Sequence, residues 1–263
     1  MKGYELKYND INNICELYKK GLGIYKIEKI TNFSIPTILK YLKLNNIYKK
    51  STNRKYLVNE NYFDIIDTED KAYFLGLLMA DGQNLKDGFS IALEETDKYI
   101  LEKFIHYINY GGVLYYKNRQ AEKRKNMYIL QIKSMILSKS LSNYNVIPNK
   151  THFTCLPDIS KEFYSHFIRG VFDGDGCIYI DKEKTMHFSI TGNVKLLEKI
   201  QEILIKECNL SKTKFNDKAN TKENIKALRY GGNNQVKKIY TYLYKNCKDL
   251  YLIRKKEKFI IKN

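Results

Sequence analysis

Two aspartates carry the strongest chemical signal in this sequence, because each of them ends a similar stretch of apolar and small residues. The first stretch is 74–82 (FLGLLMADG) and the second is 168–176 (IRGVFDGDG). Their final acids, Asp81 and Asp175, hold the same place in the two copies. Each copy is predicted to be a helix that ends at the acid, with the next glycine left-handed, as is common just past a helix. The repeat therefore predicts two equivalent carboxylates in one chain.

Small residues spaced four apart predict how the two acids meet. They are Gly76 and Ala80 in the first copy, and Gly170 and Gly174 in the second. Such spacing lets two helices approach until their backbones nearly touch. Helices packed side by side would bring Asp81 and Asp175 to the end where both helix dipoles are negative. Two carboxylates at that end favour a hard divalent cation, so Mg²⁺ or Mn²⁺ is the predicted cofactor.

The charge of the chain indicates what a metal site of this kind would act on. Its 263 residues include 46 Lys and Arg against 29 Asp and Glu, which gives a net charge of +17. A protein this basic most often binds a polyanion, and nucleic acid is the commonest. Beside a basic surface, a metal site suits phosphodiester hydrolysis, since the ion activates water and stabilises charge on the phosphate. Two equivalent acids would suit the two strands of a duplex.

Several classes of protein are excluded by the sequence. No apolar run reaches the roughly 18–20 residues of a membrane helix, and no apolar stretch follows the first residues as in a secretory signal. The five cysteines are scattered without a C-x-x-C pair, which argues against a zinc ribbon or a disulfide scaffold. We expect an intracellular protein that is neither secreted nor bound to a membrane.

The elements that position the acids form two halves, predicted as residues 62–155 and 156–263. Each half is predicted as α-β-β-α-β-β-α, so the fold class is α+β with two pseudo-symmetric halves. In the first half, strands are predicted near 89–93, 113–116 and 127–133, and helices near 97–107 and 134–141. In the second half, strands are predicted near 177–180, 187–191, 213–215 and 225–230, and helices from 193 and near 236–243.

A small all-α module is predicted to precede the two halves, over residues 1–47. Three short helices are expected, with Gly21 and Gly23 ending the first, Ser34 as the N-cap of the third and Pro36 in its first turn. This arrangement is typical of a helix-turn-helix, whose third helix enters the major groove of DNA. The predicted outward residues of that helix are Pro36, Thr37, Lys40 and Tyr41. Residues 48–61 are polar and basic and are predicted to be a linker.

The two nonapeptides resemble the LAGLIDADG motif of homing endonucleases. The flanking strings at 71–76 and 167–176 look typical of single-chain members with two motifs, and the resemblance covers about residues 62–263. It implies a saddle of two antiparallel sheets that binds in the DNA major groove, with the motif helices at a pseudo-two-fold axis. It also implies cleavage of both strands, leaving short 3′ overhangs.

The resemblance also implies which residues form the site. The last acid of each motif binds the metal in this family, which corresponds to Asp81 and Asp175, and the predicted metal site includes the glycines that follow them, Gly82 and Gly176. An earlier acid of the motif is Met79 in the first copy and Asp173 in the second. Because one copy lacks that acid, Asp173 is left out of the predicted site.

A basic residue near the end of the fourth strand often lines the cleavage pocket in this family. Lys133 matches that place in the first half, so the predicted catalytic set is Asp81, Asp175 and Lys133. The second half departs from the pattern, because Gly231 stands at the corresponding place. A further family position is a polar residue at the start of the helix after the second strand, which corresponds to Asp97 and Asn193. Asp97 is equally well explained as a helix cap.

Basic residues are frequent in the predicted strands and hairpins of both halves, as expected for a surface that contacts phosphates. The predicted DNA-binding residues of the whole chain are Thr37, Lys40, Lys117, Arg119, Lys182, Lys184, Lys214 and Arg229.

Three functions fit these features. The leading prediction is a monomeric, site-specific endonuclease that cuts double-stranded DNA. The first alternative is a maturase that binds its host intron RNA and assists splicing, and the second is a DNA-binding regulator that keeps the fold without the chemistry. Retention of both acids favours cleavage, because a protein that only binds nucleic acid could lose them.

Overall fold

The structure is a computed structural model that describes residues 6–19, 22, 24–48, 56–147, 155–217 and 224–260. The chain divides into two compact units, residues 1–54 and 55–263. The predicted helix end at Gly21 and Gly23 lies outside the described residues, and so do residues 49–55 of the predicted linker. None of the helices in the described ranges has the length and apolar character of a membrane span.

The described part of the first unit contains three helices, α1 (Tyr8–Lys19), α2 (Ile24–Thr31) and α3 (Ile35–Leu44). Apolar side chains from all three helices form its own small core, which contains Ile14, Cys15, Ile27, Ile38 and Leu42. Helix α3 begins after Ser34 with a proline in its first turn. The hydroxyl of Ser34 contacts the hydroxyl of Thr37 at 2.9 Å and makes no cap hydrogen bond to the backbone.

Tyr41 is the one residue of the predicted outward face of α3 that faces the interior. Only 7% of it is exposed, and its hydroxyl accepts a hydrogen bond from the backbone N–H of Leu6 at 3.0 Å. Burial of this aromatic ring beside Leu42 stabilises the unit, so the prediction that Tyr41 faces outward is wrong. Lys40 remains exposed, with its ammonium 5.3 Å from the centre of the Tyr41 ring.

The second unit contains two copies of one arrangement. The first copy contains α4 (Glu69–Ala80), β1 (Gly82–Leu85), β2 (Gly88–Glu94), α5 (Lys98–Tyr107), β3 (Tyr115–Lys117), β4 (Met127–Lys133) and α6 (Met135–Asn143). The second contains α7 (Tyr164–Asp175), β5 (Gly176–Ile180), β6 (Met186–Asn193), α8 (Val194–Cys208), β7 (Asn216–Asp217), β8 (Ile225–Gly231) and α9 (Asn233–Tyr244). A short helix, α10 (Ile253–Lys256), follows the second copy.

Both copies form an antiparallel four-stranded sheet with the same strand order, β1-β2-β4-β3 and β5-β6-β8-β7. Their registers also agree. In the first sheet Gly82 pairs with Ile91, which pairs with Leu130. In the second sheet Gly176, Ile190 and Leu228 align in the same way. The predicted α+β fold with two pseudo-symmetric α-β-β-α-β-β-α halves is therefore confirmed.

Stacked aromatic side chains fill the space between each motif helix and its sheet. In the first half the ring of Phe74 stacks on that of Phe104 of α5, with centroids 4.2 Å apart, and Phe104 stacks in turn on Phe89 of β2 at 5.7 Å. In the second half Phe172 stacks on Phe188 at 4.8 Å. Offset ring stacking adds to the burial of apolar area, so these contacts help to hold each motif helix against its sheet.

Two segments differ from the sequence-based expectation. Residues near the end of the predicted linker pair with the first half, since Asn59 donates a backbone hydrogen bond to Ile108 at 2.9 Å and Leu57 accepts one from Gly111 at 2.9 Å. The strand predicted at 213–215 lies instead at 216–217. The backbone carbonyl of Thr213 accepts a hydrogen bond from the side chain of Gln201 at 2.9 Å, and this side chain replaces the backbone N–H of a neighbouring strand.

Candidate active site

Helices α4 and α7 pack directly against each other, and glycine makes their close approach possible. A side-chain carbon at Gly76 would collide with the backbone carbonyl of Phe167, and one at Gly170 would collide with that of Tyr73. Helices α4 and α7 thus pack against each other at Gly76 and Gly170.

The two predicted acids lie at the same end of this helix pair. Asp81 is the C-cap of α4, and Asp175 is the last residue of α7. A side-chain carbon at Gly174 would collide with the methyl group of Ala80 and would lie 3.2 Å from Oδ2 of Asp81. The carboxylate of Asp81 therefore lies against the backbone next to Asp175, and both aspartates are exposed.

The glycines that follow the acids do not adopt the left-handed conformation that the sequence suggested. Gly176 has φ −92° and ψ 158°, and positive φ among the described glycines occurs at Gly88 and Gly232. Glycine is required at these positions because there is no room for a side chain. A side-chain carbon at Gly82 would lie 2.6 Å from the carbonyl oxygen of Leu78, so the strand leaves the helix too closely for any larger residue.

The donor set at this end fits a hard divalent cation. Two exposed carboxylates lie where the carbonyl ends of two helices add partial negative charge, and Mg²⁺ and Mn²⁺ prefer such oxygens. Within the described ranges no group of three or more His, Cys, Asp or Glu side chains is arranged to hold a metal. Asp81 and Asp175 are thus the candidate protein ligands, and any further ligands would come from a bound substrate or water.

Asp173, the earlier acid of the second motif, faces the interior. It is 1% exposed, and its Oδ2 accepts hydrogen bonds from the Tyr73 hydroxyl at 2.8 Å and from the backbone N–H of Leu252 at 2.9 Å. Burial raises the pKa of this carboxyl to about 6, although these hydrogen bonds and the nearby Lys255 lower it. The side chain joins Tyr73 of α4 to Leu252, which lies beyond α9.

Lys255 is the residue of this region that sequence reasoning missed. Its side chain is buried, and its ammonium donates hydrogen bonds to carbonyl oxygens at the end of α7. The acceptors are Phe172 at 2.8 Å, Asp173 at 2.6 Å, Gly174 at 3.1 Å and Gly176 at 2.7 Å. Burial lowers the pKa of this lysine, whereas Asp173, Asp81 and Asp175 raise it. No motif marks Lys255, because it lies about eighty positions further along the chain than its partners.

The two polar residues at the starts of α5 and α8 have different roles. Asn193 caps α8, since its side chain accepts a hydrogen bond from the N–H of Lys195 at 3.0 Å. Asp97 makes no such cap bond. It is 2% exposed and accepts a hydrogen bond from Nε of Arg254 at 2.8 Å, so it binds α10.

The structure does not bring Lys133 to the paired acids. Lys133 pairs with Gly88 at the turn between β1 and β2, three strand positions beyond Leu130, which is level with Gly82. Three positions are roughly 10 Å along a strand. Its ammonium lies 3.6 Å from the carboxylate of Asp87, and 75% of its side chain is exposed. Gly231 has the equivalent place in the second sheet, where it pairs with His187.

Most of the predicted DNA-binding residues are exposed on strands and turns. Lys117 lies at the end of β3, and Arg229 lies on β8 opposite Ser189. Arg119 is only partly exposed, and its guanidinium contacts Glu122 at 3.0 Å. The remaining exposed members are Lys40, Lys182, Lys184 and Lys214, and Thr37 is partly exposed.

Residues 162–244 match a family model described as a LAGLIDADG-like domain. The chain is also similar to two proteins of Methanocaldococcus jannaschii. It is 28% identical over 180 residues to the DNA-directed RNA polymerase subunit Rpo1C, covering 68% of this chain and 19% of that protein. It is 27% identical over 151 residues to an uncharacterized protein, covering 56% of each. The chain thus spans less than two thirds of the length of either relative.

A solved structure shares the fold. The homing endonuclease I-WcaI, bound to its DNA recognition sequence, superposes with a TM-score of 0.52 and 14% sequence identity, covering 83% of this chain and 98% of that one. At this identity the likeness concerns the fold, and it agrees with the two sheets and the central helix pair described above. The chain is therefore similar to a LAGLIDADG-like domain over residues 162–244, and it has the fold of the homing endonuclease I-WcaI.

Proposed function

We propose that this protein is a site-specific endonuclease that hydrolyses phosphodiester bonds in both strands of duplex DNA. The observation that carries the proposal is the meeting of Asp81 and Asp175 at one end of the α4–α7 pair, where Gly174 lies against the carboxylate of Asp81. The net charge of +17 supports a polyanionic substrate. We propose that the protein acts as a monomer, since one chain supplies both acids.

The two acids have a shared role in this proposal. Their carboxylates, helped by the negative helix ends, hold divalent metal beside the scissile phosphates. Mg²⁺ or Mn²⁺ bound there supplies an activated water and offsets the charge that develops on the phosphate. The two halves each offer one acid, so each half would serve one strand of the duplex.

The exposed faces of the two sheets are the proposed DNA interface. Residues one strand position beyond the glycine of each motif form equivalent rows across the sheets. These are Gln83, Ser90 and Gln131 in the first half, and Cys177, Ser189 and Arg229 in the second. Amide and guanidinium groups can make paired hydrogen bonds to base edges in the major groove. We therefore propose that Gln131 and Arg229 read bases, while the lysines of the strands and turns bind phosphates.

The deciding experiment is incubation with a randomised duplex library in Mg²⁺, followed by sequencing of the cut ends. A site-specific endonuclease gives one family of ends with a defined stagger. Retention of duplexes without cutting would identify a DNA-binding regulator. A protein that leaves duplex DNA unbound but binds and promotes splicing of an intron RNA would be a maturase.

Replacement of either acid tests the chemistry. Asp81→Asn and Asp175→Asn should each abolish double-strand cleavage while leaving DNA affinity within about threefold, because each removes metal-binding charge but no sheet contact. Asp87→Asn is the matched control, since it makes the same change at the exposed β1–β2 turn and should cut normally. Cleavage by the Asp81→Asn, Asp175→Asn double variant at the wild-type rate would disprove the assignment.

A further inference from the structure

The segment 250–259, which we call the C-terminal segment, is held at the acid end of α7 by several contacts. The backbone N–H of Leu252 donates to Asp173 at 2.9 Å. Arg254 pairs with Asp97 of the first half at 2.8 Å. Lys255, which is 6% exposed, is directed at the carbonyl oxygens that end α7. The segment thus places a buried ammonium beside the two-acid site.

The ammonium of Lys255 lies in a site lined by carbonyl oxygens, which suits a cation. An ammonium has three N–H donors and no acceptor, and Nζ of Lys255 lies within 3.1 Å of four carbonyl oxygens. Two of these carbonyls, Gly174 and Gly176, flank Asp175. Oxygens at a helix C-terminus next to a carboxylate are the donors that a divalent cation would also take.

We propose that Lys255 is a resident cation of the two-acid site, which holds the end of α7 in the free protein and weakens divalent-ion binding beside Asp175 until a substrate adds ligands. The inference rests on the proposed function, because it concerns the metal that cleavage would need. Lys255 is a positioning residue in this proposal, since it acts through the carbonyl oxygens and the charge around Asp175. A fixed positive charge bound to the carbonyl oxygens on both sides of Asp175 opposes a second cation in the same place.

The test measures Mn²⁺ binding and thermal unfolding without DNA. Lys255→Met keeps the length and apolar stem but removes the charge, so Mn²⁺ should bind roughly tenfold more tightly. The midpoint of unfolding of this variant should then rise with Mn²⁺ concentration more than that of the wild type. Lys256→Met is the matched control. The ammonium of Lys256 lies over the ring of Tyr251 at 3.7 Å, so its loss removes the same charge without freeing the carbonyls of α7.

The double variant Lys255→Met, Asp175→Asn locates the effect, since it should lose the gain in Mn²⁺ affinity. If Lys255→Met unfolds without metal, recovery of its circular dichroism in Mn²⁺ supports the proposal. A variant that stays unfolded in Mn²⁺, or one that binds Mn²⁺ no better than Lys256→Met, overturns it. Either result is independent of the cleavage assay, so a failure of this inference is distinct from a failure of the proposed function.

Discussion

Buried ionisable side chains are concentrated on α7, and each has specific partners. Arg169 is fully buried, and its guanidinium donates to the carbonyl oxygens of Leu250 at 2.8 Å and Leu243 at 2.7 Å. His166 is 5% exposed, and its Nδ1 lies 3.0 Å from Nη2 of Arg169. A permanently charged guanidinium beside the imidazole, together with burial, favours the neutral ring. Burial is the larger cause, and the pKa of His166 is lowered to about 4.

This lowered pKa predicts a loss of stability in acid. Between pH 6.5 and about 4 the unfolded chain binds a proton at His166 that the folded chain does not, so the free energy of unfolding falls as the pH falls. The loss approaches about 3 kcal/mol at the acid end of this range. In His166→Gln the loss should be absent, and a plot of the stability difference between wild type and variant against pH, from urea unfolding, should slope across this window.

His106→Gln is the control, since it makes the same change at an exposed position. The difference plot is needed because Asp173 acts in the opposite direction. Its pKa is raised to about 6, so the folded state gains a proton first and stability rises as the pH falls towards 4. Parallel curves for wild type and His166→Gln would contradict the prediction.

The sequence predicted some residue roles and could not predict others, for a physical reason. Asp173 was left out of the site because the first motif has Met79 in its place, and both side chains are buried. Lys255 and Arg254 could not be recognised, because their partners are backbone carbonyls and a carboxylate far away in the chain. Tertiary contacts of this kind leave no local pattern.

At the scale of elements, the glycines of the motif helices determine how closely α4 and α7 can pack. A methyl group at Gly170 would collide with the carbonyl oxygen of Tyr73 and would lie 2.7 Å from the N–H nitrogen of Leu77. Both neighbours are backbone atoms of α4, so relief would require a shift of the whole helix. A shift of that size would also move Asp81 relative to Asp175.

Gly170→Ala should therefore destabilise the protein by about 2 kcal/mol or more, as measured by chemical denaturation, because overpacking of a rigid core costs this amount. Gly192→Ala is the control, since its methyl group would meet the side chain of Leu197 at an ordinary 3.7 Å. That control should be neutral or slightly stabilising. Equal stability of Gly170→Ala and wild type would mean that the helix contact is looser than described.

Element boundaries were predictable where the apolar pattern was regular. Strand β4 occupies residues 127–133 as predicted, because its apolar side chains alternate across a half-buried sheet. Strand β7 was misplaced by three residues, since Thr213–Phe215 alternates well but has no ladder partner. The predicted left-handed conformation of Gly82 and Gly176 was also wrong. The Asp-Gly pair suggests a left-handed turn, whereas in the structure glycine allows each strand to lie close to the helix before it.

At the scale of the whole molecule, the internal repeat made the architecture readable from sequence. Two copies of one motif with the same following elements predicted two equivalent sheets, and the registers agree position by position. The C-terminal segment makes the two copies different, because Lys255 contacts the end of α7 and Arg254 contacts Asp97, the residue before α5. For this reason we expect the two strands of a DNA target to be cleaved at unequal rates.

The N-terminal unit has its own core, which predicts that it can be removed. Its buried cluster around Ile14, Ile27 and Leu42 contains no residue of the larger cluster of residues 62–259. The removal point matters, because Leu57 and Asn59 hydrogen-bond to the first half. A protein that starts at Tyr56 keeps these bonds, whereas one that starts at Tyr62, after the predicted linker, loses them and should be less stable.

A protein of residues 56–263 should therefore fold and cut its DNA target, but with weaker binding and a shorter protected region. If α3 enters a major groove as a helix-turn-helix does, its loss removes both the direct contact and the gain from tethering a second binding module. Footprinting of full-length and shortened proteins on one labelled target measures the protected region, and titration measures the affinity. Lys40→Ala in the full-length protein should reproduce part of the loss in affinity without changing cleavage. An unchanged footprint after removal of residues 1–55 would show that the N-terminal unit does not touch this DNA.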